Sequence, residues 1–380
     1  MKIPFNKPFF IGKELDYVAQ SVNSGKISGD GIFTKKCHDF FKQKYKFSKT
    51  LLTTSCTDAL EMSSILAEIN SGDEVIIPSY TFVSTVNPFV LRGAKIIFAD
   101  SEMASPNIDP LKIEALITNK TKAIVVVHYA GVACDMDLIL NIAKKYNLIV
   151  IEDAAQAIDS FYKGRPLGSI GNFAAFSFHE TKNIICGEGG MLIVNDEKLF
   201  DRSEIIREKG TNRSQFFRGE IDKYGWVDIG SSFLPSDIIA AYLYAQLEQI
   251  DVIQEKRLSI WNHYFKRLHS LHLNRSVRLP YIPDFATNNA HMFYLVCNSI
   301  DERAALIDYL KTNGVMAVFH YQSLHQSPFI KKYYSLNSTT IPVLPNADFY
   351  TDNLIRLPLY YELSIPEVDY ICDHILEFYK

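Results

Sequence analysis

Three clusters of polar residues in the first half of the chain have the types and positions that a phosphorylated, electron-withdrawing cofactor requires. Lys182 follows the apolar run 173–178, and Asp153 follows the apolar run 148–151. The third cluster, 53–60, combines hydroxyl side chains with the pattern of a strand that leads into a helix. A lysine amine forms a Schiff base with an aldehyde, a carboxylate keeps a pyridine nitrogen protonated, and hydroxyl and backbone N–H groups bind phosphate. The sequence therefore predicts a pyridoxal phosphate (PLP) site built around Lys182.

Lys182 is expected both to anchor the cofactor and to move protons. A lysine placed where water is scarce and the cofactor is cationic has a lowered pKa, so its amine can attack an aldehyde and later act as general acid and base. The run 187–190 holds three glycines, which would let the backbone pass close to the cofactor. An isolated lysine is ordinarily a solvated surface charge. The catalytic interpretation therefore depends on Asp153 upstream and on the glycines downstream.

Asp153 lies at the carboxyl end of a predicted strand, which is where ligands bind in open α/β sheets. Its ionised carboxylate would hydrogen-bond the pyridine nitrogen and make the ring an electron sink. Gln156, three residues later, is placed to reach the oxygen substituent of the ring. The alternative is that Asp153 only caps a helix that follows the strand.

The cluster 53–60 predicts the phosphate site. A strand that ends at Thr54 and a helix that begins near Thr57 would direct free backbone N–H groups and the positive end of the helix dipole at one point. Each charge-assisted hydrogen bond there contributes about 1.5–3 kcal/mol, so two or three of them anchor a phosphate. The alternative is that Ser55 and Thr57 are ordinary helix caps.

Composition narrows the class of protein. The chain has 380 residues, 47% of them hydrophobic, and can bury a core large enough for two domains. Its net charge of −4, without any block rich in lysine and arginine, gives no electrostatic argument for a nucleic-acid partner. Residues 1–6 lack a signal-peptide pattern, and no apolar run reaches the roughly 20 residues of a membrane-spanning helix. Six cysteines without C-x-x-C spacing are typical of reduced thiols. We therefore expect a cytoplasmic enzyme with a small-molecule partner and no membrane or nucleic-acid partner.

Short β-rich apolar runs alternate with segments of helical period, which predicts an α/β fold with a mostly parallel sheet covered on both faces. The seven predicted strands are 50–54, 74–77, 95–99, 123–128, 148–152, 173–178 and 191–194. A helix is predicted over 135–146, and one long bridging helix from residue 235 to about residue 268.

Beyond the bridging helix, the pattern predicts a smaller α+β unit. Its predicted elements are a strand at 291–297, a helix at 301–313, a strand at 315–320 and a helix at 366–379. The chain is therefore divided into a large PLP-binding α/β domain, residues 1–250, and a small C-terminal α+β domain, residues 251–380.

Sequence motifs are spread over nearly the whole length, at 29–35, 54–60, 72–76 and 78–85, around Asp153 and around Lys182. These motifs resemble those of the DegT/DnrJ/EryC1/StrS sugar aminotransferase family. Within that family, the runs 176–183 and 207–217 most resemble the dTDP-4-amino-4,6-dideoxygalactose transaminase group. The resemblance implies the type I PLP-dependent aminotransferase fold and a homodimer with active sites at the subunit interface.

The resemblance also implies roles for residues around the cofactor ring. Lys182 would be the Schiff-base lysine and the catalytic residue, and Asp153 would be the partner of the pyridinium nitrogen. Phe82 would supply the aromatic face over the ring, and Gln156 would lie beside the ring oxygen.

For the phosphate, the resemblance implies Thr57, the N–H of Asp58 and Ser177 as ligands. Members of the family borrow a loop from the neighbouring subunit, and residues 210–236 correspond to that loop. Many relatives place an asparagine in it against the phosphate, whereas this chain reads Gly-Ser-Ser-Phe-Leu at 230–234. Ser232 is the predicted substitute.

On the substrate side, His320, Tyr321 and Arg213 are the candidate residues. A histidine that follows an apolar strand is as often a hydrogen-bonded structural group, and both interpretations of His320 stay open. His179 is close in sequence to Lys182, but a packing role is at least as compatible with its position. His320 and His325 lack the further ligands at the spacing that a metal requires, so no metal is expected.

Taken together, the resemblance implies transfer of the amino group of L-glutamate to C4 of dTDP-4-dehydro-6-deoxy-D-glucose, a dTDP-4-keto-6-deoxyhexose. The product would be dTDP-4-amino-4,6-dideoxy-D-galactose, for a surface polysaccharide such as lipopolysaccharide O-antigen or enterobacterial common antigen. Aminotransfer at C3 or to another nucleotide sugar is an alternative, because such enzymes share the cofactor motifs and differ only in the hexose pocket. A second alternative is a non-catalytic PLP-binding regulator. Lys182 argues against the dehydratases of this family, which carry histidine instead.

Overall fold

A seven-stranded, mostly parallel sheet forms the centre of the structure, a computed structural model that describes residues 2–336 and 340–380. Its strands are β1 (Lys49–Thr53), β2 (Glu74–Pro78), β3 (Lys95–Ala99), β4 (Thr121–Val127), β5 (Ile149–Asp153), β8 (Phe173–Ser177) and β9 (Gly190–Val194), with a separate ribbon of β6 (Phe161–Tyr162) and β7 (Arg165–Pro166). The order across the sheet is β1-β9-β8-β5-β4-β2-β3, and β9 runs antiparallel to both of its neighbours. The predicted α/β fold class and all seven predicted strands are confirmed.

Both faces of this sheet are covered, which is why its strands are nearly continuous apolar runs. β4 shows the alternation: Ile124 and Val126 pack into one core cluster, whereas Ala123 and Val125 pack into the cluster on the other face. All four side chains are fully buried. Successive residues of a strand point to opposite faces, and both faces of this sheet are covered. Its polar residues therefore lie at the strand ends or next to them.

Helices cover the sheet and connect its strands. They are α1 (Glu14–Asn23), α2 (Ile32–Tyr45), α3 (Cys56–Leu66), α4 (Asn87–Leu91), α5 (Pro110–Ile113), α6 (Met136–Tyr146), α7 (Phe200–Arg207), α8 (Arg213–Phe217), α9 (Asp237–Leu247) and α10 (Ile250–Leu273). The helix predicted at 135–146 is confirmed as α6, and Asp135 caps it by accepting a hydrogen bond from the Leu138 N–H. Within residues 2–336 and 340–380, no helix is both long and apolar enough to cross a membrane.

The single long helix predicted from residue 235 to about 268 is wrong. The structure breaks it at Glu248 and Gln249, between α9 and α10. α9 packs against α1 and α2, whereas α10 packs against the last helix of the chain, α14 (Ile365–Phe378). α9 and α10 therefore pack against different sets of helices, and the break between them separates the two contacts.

A second sheet of three antiparallel strands lies in the C-terminal third of the chain. Its strands are β10 (Phe293–Val296), β11 (Val318–Phe319) and β12 (Leu354–Leu357), in the order β10-β12-β11, and its remaining helices are α11 (Ile300–Thr312), α12 (Pro328–Leu336) and α13 (Pro345–Asn353). The strand predicted at 315–320 is shorter than expected, since only 318–319 pair in the sheet. The central strand, β12, was not predicted.

Residues outside the predicted domain limits contribute to both cores. Ile3 pairs with Val315 and packs in the cluster beneath the second sheet. Tyr350, on α13, packs instead in a cluster of the large sheet that includes Phe98. The domain division near residue 250 stays a prediction.

Candidate active site

A cavity of about 570 Å³ opens at the carboxyl ends of β4, β5 and β8. Parallel strands bring their carboxyl ends to one edge of the sheet, so residues far apart in sequence meet there. Eight of the residues singled out from the sequence line it: Thr57, Phe82, Asp153, Gln156, Ser177, Lys182, His320 and Tyr321.

Asp153 is the last residue of β5, and its carboxylate is buried. One oxygen accepts a hydrogen bond from the Thr85 hydroxyl (2.7 Å), and the other accepts from the Ala155 N–H (3.1 Å). Burial raises the pKa of Asp153 above its usual value, whereas these two hydrogen bonds and the charge of Lys182 act in the opposite direction. A cation held in the cavity beside this carboxylate would favour the ionised form further.

Lys182 enters the cavity from the loop that follows β8. A turn closed by the Lys182 N–H and the His179 carbonyl (2.9 Å) carries the lysine over the sheet edge. Burial lowers the pKa of Lys182, and the positive charge of Arg356 adds to that effect, whereas Cys56 and Asp153 oppose it. Within residues 2–336 and 340–380, no hydrogen bond or ion pair of the Lys182 amine is found. The result is an amine that is partly desolvated and free to react.

The start of α3 brings polar side chains to the cavity; we call the group Ser55, Thr57 and Ser84 the polar junction. The Thr57 hydroxyl faces the cavity and donates to Ser84 Oγ (2.9 Å). Gly190, at the start of β9, makes this junction possible, because a Cβ there would lie 2.3 Å from the Ser55 carbonyl carbon. Ser177, at the end of β8, lines the same region. Hydroxyl groups at a helix N-terminus have the chemistry of a phosphate site.

The alternative of ordinary helix capping holds for part of this junction. Ser55 is the N-cap of α3, and its hydroxyl accepts the N–H of Asp58 (3.0 Å). The Asp58 carboxylate accepts in turn from the Thr54 hydroxyl. The Asp58 N–H therefore already has an acceptor, and Asp58 is not among the residues that line the cavity; its role as a phosphate ligand stays a prediction.

Gln156 and Phe82 both line the cavity. Gln156 accepts the Ala130 N–H through Oε1 (2.6 Å) and donates to the Tyr321 hydroxyl through Nε2 (3.1 Å). Phe82 is 54% exposed, and its ring centroid lies 6.0 Å from that of Tyr321. An exposed aromatic face at the mouth of a buried polar cavity is a platform for a planar ligand.

His320 lines the cavity and is also a hydrogen-bonded structural group, so both interpretations of it find support. Its Nδ1 lies 2.7 Å from the Tyr129 hydroxyl, and its carbonyl accepts from the Tyr80 hydroxyl. Burial lowers the pKa of His320 well below its usual range, which makes the ring neutral. Tyr321 follows at φ 49°, a left-handed conformation that is uncommon outside glycine.

Two predicted residues lie away from this cavity in the single chain. Arg213, on α8, borders a separate cleft of about 710 Å³, where its guanidinium lies 3.9 Å from the Glu208 carboxylate. Ser232 pairs with Glu208 in an isolated β-bridge, and Glu208 borders that same cleft. That cleft is larger, but it contains neither Lys182 nor Asp153, so volume alone does not identify the reactive site.

The structure adds cavity residues that the sequence analysis missed. Arg356 and His291 both line the wall that faces Lys182. The His291 Nδ1 lies 2.9 Å from Asn183 Oδ1, next to Lys182 in sequence. Arg356 lies inside an apolar run, 354–357, and a charged residue in the middle of such a run was the available signal.

Comparison with known proteins agrees with this geometry. Residues 10–376 match the profile of the DegT/DnrJ/EryC1/StrS aminotransferase family. The chain is 33% identical to GDP-perosamine synthase of Escherichia coli O157:H7, covering 100% of this chain and 99% of that protein. It is 32% identical to the spore coat polysaccharide biosynthesis protein SpsC of Bacillus subtilis, covering 100% and 97%. It is also similar to a solved structure, the PLP-form of the putative sugar aminotransferase Spr1654 from Streptococcus pneumoniae, with a TM-score of 0.89, 26% identity and coverage of 100% and 98%.

Proposed function

This chain belongs to the DegT/DnrJ/EryC1/StrS aminotransferase family, and from that premise we propose that it moves the amino group of L-glutamate to C4 of dTDP-4-dehydro-6-deoxy-D-glucose. It is a PLP-dependent sugar aminotransferase. The choice of sugar rests on the motif runs 176–183 and 207–217. The product, dTDP-4-amino-4,6-dideoxy-D-galactose, would supply a surface polysaccharide.

The cofactor is pyridoxal phosphate, in agreement with the sequence prediction. When bound, it withdraws electrons from the carbon that carries the amino group. One observation carries the assignment: a desolvated, unpartnered Lys182 amine and a buried Asp153 carboxylate border the same cavity. Thr57 and Ser177 supply hydroxyls for the phosphate.

Each of these side chains has a defined task in the proposed reaction. Lys182 holds the cofactor and moves the proton in both half reactions, since its lowered pKa leaves a larger neutral fraction near pH 7. Asp153 stays ionised against the cationic ring nitrogen, and the Thr85 hydroxyl fixes its direction. Phe82 and Gln156 line the same cavity and would contact the cofactor ring when it is bound.

We further propose that the working unit is a homodimer. The segment 210–236 carries an exposed apolar surface in the single chain, with Trp226 84% exposed and Phe217 and Val227 also exposed. Large exposed apolar residues close together are typical of a surface that another protein covers. A second copy that covers this surface would bring Arg213 and Ser232 towards a neighbouring cavity, which gives these two residues the predicted roles that they lack in one chain.

The nucleotide and the cellular location are part of the proposal. One relative is named for a GDP-sugar product, so GDP-sugars are the main competitors of dTDP-sugars as acceptors. We place the activity in the cytoplasm, because all six cysteines are unpaired thiols, as in a reducing compartment.

The test is a visible absorption spectrum of the PLP-loaded protein. L-Glutamate should convert the band of lysine-bound cofactor to that of the pyridoxamine form, and dTDP-4-dehydro-6-deoxy-D-glucose should restore it. NMR of the product should place the amine on C4. Recovery with a GDP-4-keto sugar but not with the dTDP sugar would overturn the choice of nucleotide. A band that neither substrate changes would instead favour the non-catalytic regulator.

A further inference from the structure

Arg356 is a cation in the cavity wall for which the described residues supply no ion-pair partner. It lies on β12, the central strand of the second sheet, opposite Tyr294 of β10 and Val318 of β11. Its side chain lines the same cavity as Lys182. Within residues 2–336 and 340–380, no side chain forms an ion pair with its guanidinium, and its buried Nε has no hydrogen-bond acceptor.

Neighbouring rings hold this guanidinium in place without neutralising it. The Phe5 ring centroid lies 4.7 Å from the guanidinium carbon. The groups that act most on its charge are the hydroxyls of Tyr129, Tyr321 and Tyr80. Burial raises the pKa of each of these tyrosines above its usual range, so all three are neutral near pH 7. The positive charge of Arg356 is therefore uncompensated.

Two other buried arginines show which partners this chain gives a structural guanidinium, although the Nε of Arg207, like that of Arg356, has no acceptor within the described residues. Arg207 forms a bidentate ion pair with Asp30, at 2.6 and 2.9 Å. Arg257 donates to the carbonyls of Ala290 (3.2 Å) and His291 (2.8 Å). A buried charge without such partners is costly to the fold, so a position that keeps one is a place where an anion binds. Arg207 also borders a cleft, but its charge is already paired with Asp30; Arg356 differs from both in bordering the cavity that contains Lys182.

Three partners in the proposed reaction carry anionic groups: the cofactor its phosphate, the nucleotide sugar its diphosphate, and L-glutamate two carboxylates. The first two are poorly placed for Arg356. The phosphate of the cofactor is served by the polar junction at the start of α3. The diphosphate of a nucleotide sugar is separated from the reacting C4 by the hexose ring. The donor's carboxylate, in contrast, is attached to the carbon whose nitrogen is transferred, so it must lie close to Lys182. Arg356 is near enough for its charge to act on Lys182.

We propose that Arg356 binds a carboxylate of the amino-acid donor, through the planar pair of N–H groups that matches a carboxylate. This inference rests on the proposed function, since it assumes an amino-acid donor. It assigns the donor's anion to the second sheet, whereas the cofactor is held by the first. The donor would thus contribute the anionic partner that Arg356 lacks among the described residues.

The test separates the two half reactions of the PLP-loaded protein in Arg356→Gln and Arg356→Lys. We expect Arg356→Gln to lower kcat/KM for the L-glutamate half reaction by about 100-fold, mainly through KM, because a charge-assisted bidentate contact is lost. The return of the pyridoxamine form with the keto sugar should change by less than about threefold. Arg356→Lys should recover part of the loss, since it restores the charge but not the planar pair.

A binding measurement that needs no turnover accompanies the kinetics. Glutarate, a dicarboxylate without an amino group, should bind the PLP-loaded wild type in calorimetry and bind Arg356→Gln at least about tenfold more weakly. Arg278→Gln is the matched control: Arg278 also lies over a ring, Phe349, at 4.8 Å, but it is exposed and outside the cavity. Its kinetics and glutarate affinity should equal those of the wild type.

Several outcomes would overturn the inference. It is wrong if Arg356→Gln reacts normally with L-glutamate, if both half reactions fall equally, if only the sugar half reaction falls, or if glutarate binding is absent in the wild type or unchanged in the variant. Failure of the proposed sugar is a separate result. A wild type that reacts with L-glutamate but never with the dTDP sugar refutes that acceptor, and the L-glutamate half reaction still tests Arg356.

Discussion

The cavity has two walls that differ in how their charged side chains are held. The first wall belongs to the large sheet and contains Asp153 and Lys182, and the second belongs to the three-stranded sheet and contains Arg356. On the side of the large sheet, Asp153 is fixed by the Thr85 hydroxyl and the Ala155 N–H, and the lysine follows a tight turn. On the side of the second sheet, the guanidinium of Arg356 lies over the Phe5 ring and has no ion-pair partner in the part of the chain that the structure describes. Asp153 in the first wall has its hydrogen-bond partners before a donor binds, whereas Arg356 in the second wall would gain an anionic partner only when the proposed donor binds. A resident cofactor and a transient substrate place these different demands on a site.

The largest effect is expected from removing the reactive amine of the first wall. Lys182→Ala should lower the rate of aminotransfer by on the order of 10⁴-fold or more, because it removes both the cofactor anchor and the proton carrier. Single-turnover kinetics with L-glutamate would measure this loss. Lys163→Ala, which changes an exposed lysine paired with Asp137, is the control and should remain fully active. Normal turnover by Lys182→Ala would refute the assignment.

Removing the charge opposite the ring nitrogen is expected to have the next largest effect. Asp153→Asn keeps the shape of the side chain but cannot favour a protonated ring, so kcat should fall by roughly 10²–10³-fold. The absorption spectrum of the bound cofactor should change as well. An unchanged spectrum with wild-type kcat would mean that Asp153 serves only the hydrogen bonds to Thr85 and Ala155.

A pH measurement links the two walls. The pKa of Lys182 is lowered, chiefly by burial, so uptake of cofactor by the apoprotein should have its midpoint below the usual lysine value of about 10.4. The neutral amine reacts, hence the rate rises with pH through that midpoint. Arg356→Gln removes a positive charge that lowers this pKa, so the midpoint should move to higher pH. A midpoint that is the same in both proteins would show that the charge of Arg356 does not reach the amine.

The linked effect on stability has a definite sign. A lysine whose pKa is lowered by folding binds fewer protons in the folded than in the unfolded apoprotein, so its contribution to stability rises with pH between the folded and unfolded pKa values. It is least favourable below the lowered pKa of Lys182. Urea unfolding of the apoprotein across that window, compared with Lys182→Met, would detect the difference in slope.

The smallest effect concerns the ring that supports Arg356. Phe5→Leu should reduce the free energy of unfolding by about 0.5–1 kcal/mol through loss of the cation–π contact, with some further loss of packing. It should also raise KM for L-glutamate, because the guanidinium is held less firmly. Denaturant unfolding and half-reaction kinetics would measure both. A stable variant with unchanged KM would show that Phe5 does not position Arg356.

Charged residues of the first wall were predicted from the sequence, but Arg356 of the second wall was not. Lys182 and Asp153 were predicted to meet at one edge of the sheet because each follows an apolar run, and the structure brings both to the same cavity. Thr57 was predicted from the strand before it and also lines the cavity, and the alternative of capping by Ser55 is what the Asp58 N–H shows. Arg356 was missed, since β12 is only four residues long and pairs with strands distant in sequence.

The sequence by itself determined the seven strands of the large sheet, their order along the chain, and the positions of Lys182 and Asp153 after two of these strands. These features depend on local periodicity and on strand ends, which a short run of residues specifies. Tertiary structure alone decided which residues face them: Thr85, His291 and Arg356 reach the cavity from segments more than 60 residues away from Asp153 in the chain. Packing between distant elements brings these residues to the cavity. The free energy that stabilises this packing comes from contacts throughout the core, so no single segment of the sequence predicts it.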